Sequence, residues 1–134
     1  MKEKIAVLAI TKNGIKISEL IKKNIINAEI FVPDKFYNED SNIIWFKEST
    51  QKKIEDLFHS YDALICIFSL GAVIRLISRL LVDKKTDPAV LVIDDQATFV
   101  ISTLSGHLGG ANALSRYIAS FLNSLPVITT AADV

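Results

Sequence analysis

Cysteine is almost missing from this sequence, and that absence excludes an internal disulfide framework. The single cysteine, Cys66, sits in the apolar run Ala63-Leu64-Ile65-Cys66-Ile67-Phe68. It reads as a small buried hydrophobe rather than a reactive thiol. Histidine is nearly as scarce: there are two, far apart from each other and from Cys66, which argues against a zinc site made of protein ligands. Neither sign of charge is in surplus, with 15 basic and 15 acidic side chains. No basic stripe interleaves with aromatics, so there is no footprint for nucleic acid. No apolar run approaches the ~20 residues that cross a bilayer. Met1-Lys2-Glu3-Lys4 leads into a short apolar stretch that ends at Thr11-Lys12-Asn13-Gly14 without a small-residue cleavage site. It does not read as a signal peptide. The expectation is a cytoplasmic protein with neither membrane nor nucleic acid as partner.

What the sequence does hold is hydrophobic surface, at 50% of 134 residues. A chain of this length forms one domain and buries roughly two-thirds of its unfolded surface without metal or disulfide staples. Short apolar runs alternate with segments of helical period, the pattern of βαβ units. Strands are expected at residues 5–10, 28–32, 42–46, 63–68 and 126–129. Helices are expected after Gly14 (Ile15, Leu20, Ile21 and Ile25 inward) and after Ser49 or Thr50 (Ile54, Leu57 and Phe58 inward). Two more follow Ser69 (Val73, Ile74, Ile77 and Leu80 inward) and run over 110–122 (Leu114, Ile118 and Phe121 inward). Ser69 is placed to cap its helix. Residues 89–93 and 98–102 flank Asp94-Asp95-Gln96-Ala97 and read as a hairpin. The fold class is therefore α/β, a three-layer α/β/α sandwich with a mainly parallel sheet, flavodoxin- or Rossmann-like, including one hairpin.

Ligands of such sheets bind outside the carboxyl ends of the strands. On that rule one edge of the sheet should gather the small, hydroxyl-bearing and glycine-rich loops. These are Thr11-Lys12-Asn13-Gly14, then Ser69-Leu70-Gly71 with Arg75 one turn on, then Ser105 to Asn112, and Thr129-Thr130-Ala131-Ala132-Asp133. Turns use such residues in any case, so each loop also has a purely structural reading. The stretch Ser105-Gly106-His107-Leu108-Gly109-Gly110-Ala111-Asn112 is the richest. Its glycines permit close backbone approach, and the helix after it offers free N–H groups to an anion or carbonyl. The glycines follow neither the Walker A nor the dinucleotide spacing, so no nucleotide is indicated. His107 has the chemistry of a general acid or base, or of a residue that merely bonds the loop. Arg75 suits a carboxylate, and its plainer reading is a solvated helix residue. Asp94-Asp95-Gln96 reads as a turn, and His59 as a partner of a helix C-terminus.

Taken in order, several strings resemble the N-terminal part of the CbiG family of anaerobic cobalamin biosynthesis. They are Ala9-Ile10-Thr11-Lys12-Asn13-Gly14, Ser69-Leu70-Gly71-Ala72-Val73-Ile74-Arg75 and Lys85-Thr86-Asp87-Pro88-Ala89-Val90. Leu104 to Asn112 and Pro126-Val127-Ile128-Thr129-Thr130-Ala131 complete the set. The resemblance implies a hydrolase acting on cobalt-precorrin-5A. That reaction opens the δ-lactone of the cobalt-corrinoid and releases acetaldehyde, leaving cobalt-precorrin-5B. Cobalt arrives with the substrate, and no protein cofactor or metal is implied. His107 is then the candidate catalytic residue, with backbone N–H groups near Gly109 and Gly110 holding the oxyanion. The candidate substrate-binding residues are Lys12, Asn13, Gly14, Ser69, Gly71, Arg75, Ser105, Gly106, Gly109, Gly110, Asn112, Thr129 and Thr130. The family's chains continue into a linker and a smaller C-terminal domain, which residues 1–134 do not include. A C-terminal domain, a partner chain or a homodimer is expected to complete a cleft for so large a substrate. The alternatives are a non-catalytic module that binds the corrinoid or docks a partner, and a small-molecule or phosphate sensor of flavodoxin-like shape.

Overall fold

The structure is a computed structural model and describes residues 4–131. Seven strands form one sheet: β1 (Ile5–Ala9), β2 (Ala28–Pro33), β3 (Ile43–Phe46), β4 (Ala63–Ile67), β5 (Ala89–Ile93), β6 (Phe99–Leu104) and β7 (Leu125–Val127). Their spatial order is β3-β2-β1-β4-β5-β6-β7. The α/β sandwich expected from the sequence is the one observed. Every residue of β1, β4 and β5 is buried, because helices cover both faces of the central strands. Alternate residues feed two cores. Ile5, Val7 and Ala9 meet α1 (Lys12–Asn24) and α4 (Ala111–Leu122) on one face. Ala6 and Leu8 meet α2 (Thr50–Ser60) and α3 (Leu70–Ile77) on the other. Double-faced burial is why these strands read as unbroken apolar runs.

Local chemistry sets the helix starts. The Thr11 hydroxyl caps α1 by accepting from the Gly14 amide (2.9 Å). Lys12, Asn13 and Gly14 are therefore the first turn of the helix and not a break before it. Ser49 caps α2 through the Lys52 amide (3.1 Å). Ser69 occupies the same position on α3 but makes no side-chain capping bond, so that expectation fails. Leu20 and Ile74, expected inward, are about half exposed. In each case the sheet takes only the centre of the apolar stripe, and these residues stand on its flank.

The five strands β1 to β5 are mutually parallel. At the Asp94–Ala97 turn the chain reverses, and β6 returns antiparallel to β5. The register jumps from Val90↔Leu104 to Leu91↔Ser102, leaving Thr103 as an extra residue, a β-bulge. Strand β7 runs parallel to β6. So β6 and β7 end at the opposite edge of the sheet from β1, β4 and β5.

Candidate functional site

That reversal divides the candidate residues into two groups. The loops after β1 and β4 lie at one edge with Lys12, Asn13, Gly14, Ser69, Gly71 and Arg75. The loops after β6 and β7 lie at the other with Ser105, Gly106, His107, Gly109, Gly110, Asn112, Thr129 and Thr130. The expectation of a single edge is corrected: a five-residue strand separates the groups by about 17 Å. Ala132 and Asp133 of the last loop lie outside the described residues.

At the first edge, Asp95 is more than a turn residue. Its carboxylate accepts from the Thr11 hydroxyl (2.6 Å) and from Asn13 Nδ2 (3.0 Å), tying the β1–α1 junction to the hairpin. Asp94 does behave as a turn residue, accepting from the Phe99 and Gln96 amides. Asn13 and Gly14 are thus occupied by intramolecular bonds. Lys12 is exposed and lines a groove of about 450 Å³ with Lys16, Lys35, Phe36 and Tyr37. The Arg75 guanidinium folds back along α3, to 3.8 Å from where a side chain on Gly71 would begin. Gly71 and Arg75 therefore lie side by side, two and six residues beyond Ser69.

The second edge holds a built pocket. A depression of about 260 Å³ is lined by Gly106, His107, Gly110, Asn112, Arg116 and Thr130, with Ala113, Ile128 and Ala131 beside them. Asn112 organises it. This buried amide accepts from the Ser102 hydroxyl on β6 (2.7 Å) and donates to the Thr130 hydroxyl beyond β7 (2.8 Å). Its backbone N–H donates to the Gly106 carbonyl (3.0 Å). The Ser105 hydroxyl reaches the Asp87 carbonyl (3.2 Å), fixing the start of the loop to the chain before β5. Gly110 sits at φ 83°, a left-handed conformation that glycine adopts without strain. A side chain on Gly109 would start 2.7 Å from the Ser105 carbonyl oxygen, so only glycine fits there.

This loop is not the open cradle of N–H groups that the sequence suggests. The Gly110 amide donates to the His107 carbonyl (3.3 Å) and the Ala111 amide to the Ser105 carbonyl (3.1 Å). With Asn112 also engaged, the start of α4 offers the pocket little backbone charge. The cation comes instead from Arg116, which sequence reading missed. Four residues after Asn112, it shares that face of α4 and forms no ion pair among the described residues. Its spacing from Asn112 was the available signal. His107 is exposed on the rim. No group of three or more potential metal-ligating side chains occurs among the described residues.

A family model described as "Cobalamin synthesis G N-terminal" matches residues 52–133, which include the whole second edge. The chain belongs to this family. It is 49% identical over 132 residues to a cobalt-precorrin-5A hydrolase of Priestia megaterium, covering 96% of this chain and 35% of that protein. It is 40% identical to a cobalt-precorrin-5A hydrolase of Salmonella typhimurium, covering 98% and 37%. A solved structure described as a cobalamin biosynthesis protein G homolog from Sulfolobus solfataricus superposes with a TM-score of 0.73 at 27% identity, covering 96% and 37%. The chain thus spans little more than a third of the length of the relatives it matches.

Proposed function

We propose that this chain supplies the N-terminal part of a cobalt-precorrin-5A hydrolase, acting on a cobalt-corrinoid lactone in cobalamin biosynthesis. The observation that carries the reading is the Asn112-organised pocket, which lies inside the family-matched region and is lined by a histidine and an arginine. In this reading His107 takes a proton from water as the water oxygen adds to the lactone carbonyl. The ring C–O bond breaks, giving a carboxylate and a hydroxyl on the two-carbon fragment. Loss of that hydroxyl proton with cleavage of the carbon–carbon bond releases acetaldehyde, and the electron pair passes to the macrocycle. Arg116 faces the negative charge that develops, a role the engaged Gly110 amide cannot fill. Lys12, Ser69, Gly71 and Arg75 lie at the far edge, where they suit peripheral acetate and propionate groups only if the substrate or a neighbouring domain bridges both edges. Cobalt is part of the substrate.

A second reading, a corrinoid-binding or partner-docking module without chemistry of its own, is favoured by one observation. The three first amides of the α4 region are already bonded within the loop. One experiment separates the two. Cobalt-precorrin-5A is incubated with this chain, alone and joined to the remaining portion of the Priestia megaterium relative, and acetaldehyde is measured. Release by the joined protein that falls at least 100-fold in His107→Ala and Arg116→Ala supports the hydrolytic site. Full turnover in both variants would assign the chemistry elsewhere and leave this chain as the binding module.

A further inference from the structure

Helices α1 and α4 cover one face of the sheet out to β6, but on the other face the fully buried core under α2 and α3 ends at β5, with Ile101 and Leu104 of β6 only partly buried against it. Val100 and Ser102 turn toward α4, so Phe99 and Ile101 turn the opposite way. Their parallel partners in β7 are Leu125 and Val127. The four form an apolar strip: Phe99 is 40% exposed, Leu125 is 58% exposed, and Ile101 and Val127 are half-buried. Ile74, 49% exposed, stands on the flank of α3. It lies about 200° round that helix from Leu76, whose carbonyl takes Gln51 of α2. The result is a groove with a sheet floor and one helical wall. The edge of β7 is closed to a further strand by different means. Leu125 donates to the Thr98 carbonyl (2.9 Å), so Pro126 turns its backbone to the open edge, where its missing N–H removes a donor.

We infer that this groove seats the part of the family's longer chains that follows the region matched here, through an apolar surface laid on Phe99, Ile101, Leu125 and Val127. Two observations favour that occupant. The matched region is the N-terminal one of its family, and 65% of the Priestia megaterium relative lies outside the match. The blunted β7 edge directs a neighbour onto the face rather than alongside it. The inference rests on family membership and is independent of the reaction proposed above.

Cysteine labelling tests it. Cys66 is fully buried, and burial pushes its thiol up to about 12, so the native chain gives no background. Leu125→Cys and, as a control, Ile26→Cys (85% exposed, on the α1–β2 loop) are treated with a maleimide in this chain alone. The same is done after joining it to the remaining portion of the Priestia megaterium relative, and sites are read by peptide mass mapping. The expected result is at least a tenfold slower reaction at position 125 in the joined protein, with position 26 unchanged. Equal rates at position 125 in both forms would overturn the inference. So would slow labelling in the isolated chain that quickens on dilution, because the occupant would then be a second copy. A cysteine at the aligned position of the natural full-length relative is labelled in parallel, so a misfolded joined protein does not decide the outcome.

Discussion

Replacing Asn112 by alanine tests whether the second edge is held by one amide. The substitution removes the bond to Thr130 and strands the Ser102 hydroxyl, which is itself buried. An unsatisfied buried hydroxyl costs about 1–3 kcal/mol, and the bond to exposed Thr130 adds about 0.5–1. Alanine returns up to about 0.7 kcal/mol through its better helix propensity. The net loss is about 2–3 kcal/mol. With an m-value of about 2 kcal/mol/M, the urea midpoint of the isolated chain should fall by about 1–1.5 M at unchanged slope. Ser102→Ala alone should cost about 1 kcal/mol, but adding it to Asn112→Ala should recover about 1 kcal/mol or more, because the stranded hydroxyl is gone. A loss below about 0.5 kcal/mol for Asn112→Ala, or full additivity of the two losses, would refute this account of the pocket.

Gly110→Ala forces a side chain into a left-handed conformation and should cost about 1–2 kcal/mol in thermal or urea melts, whereas Gly71→Ala, whose methyl would meet only the Arg75 guanidinium at 3.8 Å, should cost much less. Ser115 is buried on α4 with a hydroxyl that finds no partner among the described residues, so Ser115→Ala should leave stability unchanged or raise it by about 1 kcal/mol. Burial, together with the bond its hydroxyl donates to Glu29 (2.7 Å), raises the Tyr61 phenol to about 12. The folded state therefore holds that proton more tightly than the unfolded chain. Its contribution is complete below about pH 10 and is lost between about pH 10 and pH 12. Urea midpoints followed across that window should fall more steeply for the native chain than for Tyr61→Phe; parallel curves would remove Tyr61 from the account.

Much of this architecture is legible in the sequence because burial on both faces leaves a plain mark. The runs at β1, β4 and β5 can hardly be anything but central strands. Turn residues at Asp94-Asp95-Gln96 announce the hairpin. The site is another matter. A hairpin reverses every loop that comes after it, so the sequence that predicts the turn also predicts two edges, yet loop composition alone suggests one. Nothing in Thr11 or Asp95 signals that they bond, since they stand 84 positions apart. Arg116 was hidden because an arginine on an exposed helix face is ordinary, and only the fold shows that it shares a wall with Asn112 and Thr130. The glycines misled in the opposite sense. They look like an anion nest, but the tight loop they permit turns its own carbonyls onto the amides.

Strand order also has a consequence for the timing of synthesis. Within the sheet, the strands of the N-terminal segment and those that follow it pair only at one seam, between β1 and β4. Ile5 pairs with Ala63, a separation of 58 residues. At about 5–20 residues per second, a ribosome needs roughly 3–12 s to deliver that partner. Throughout that interval β1, destined to be fully buried, can pair on one side only. The emerging N-terminal third is thus a half-sheet with a sticky inner edge, and the arrival of β4 both completes the core and ends the exposure.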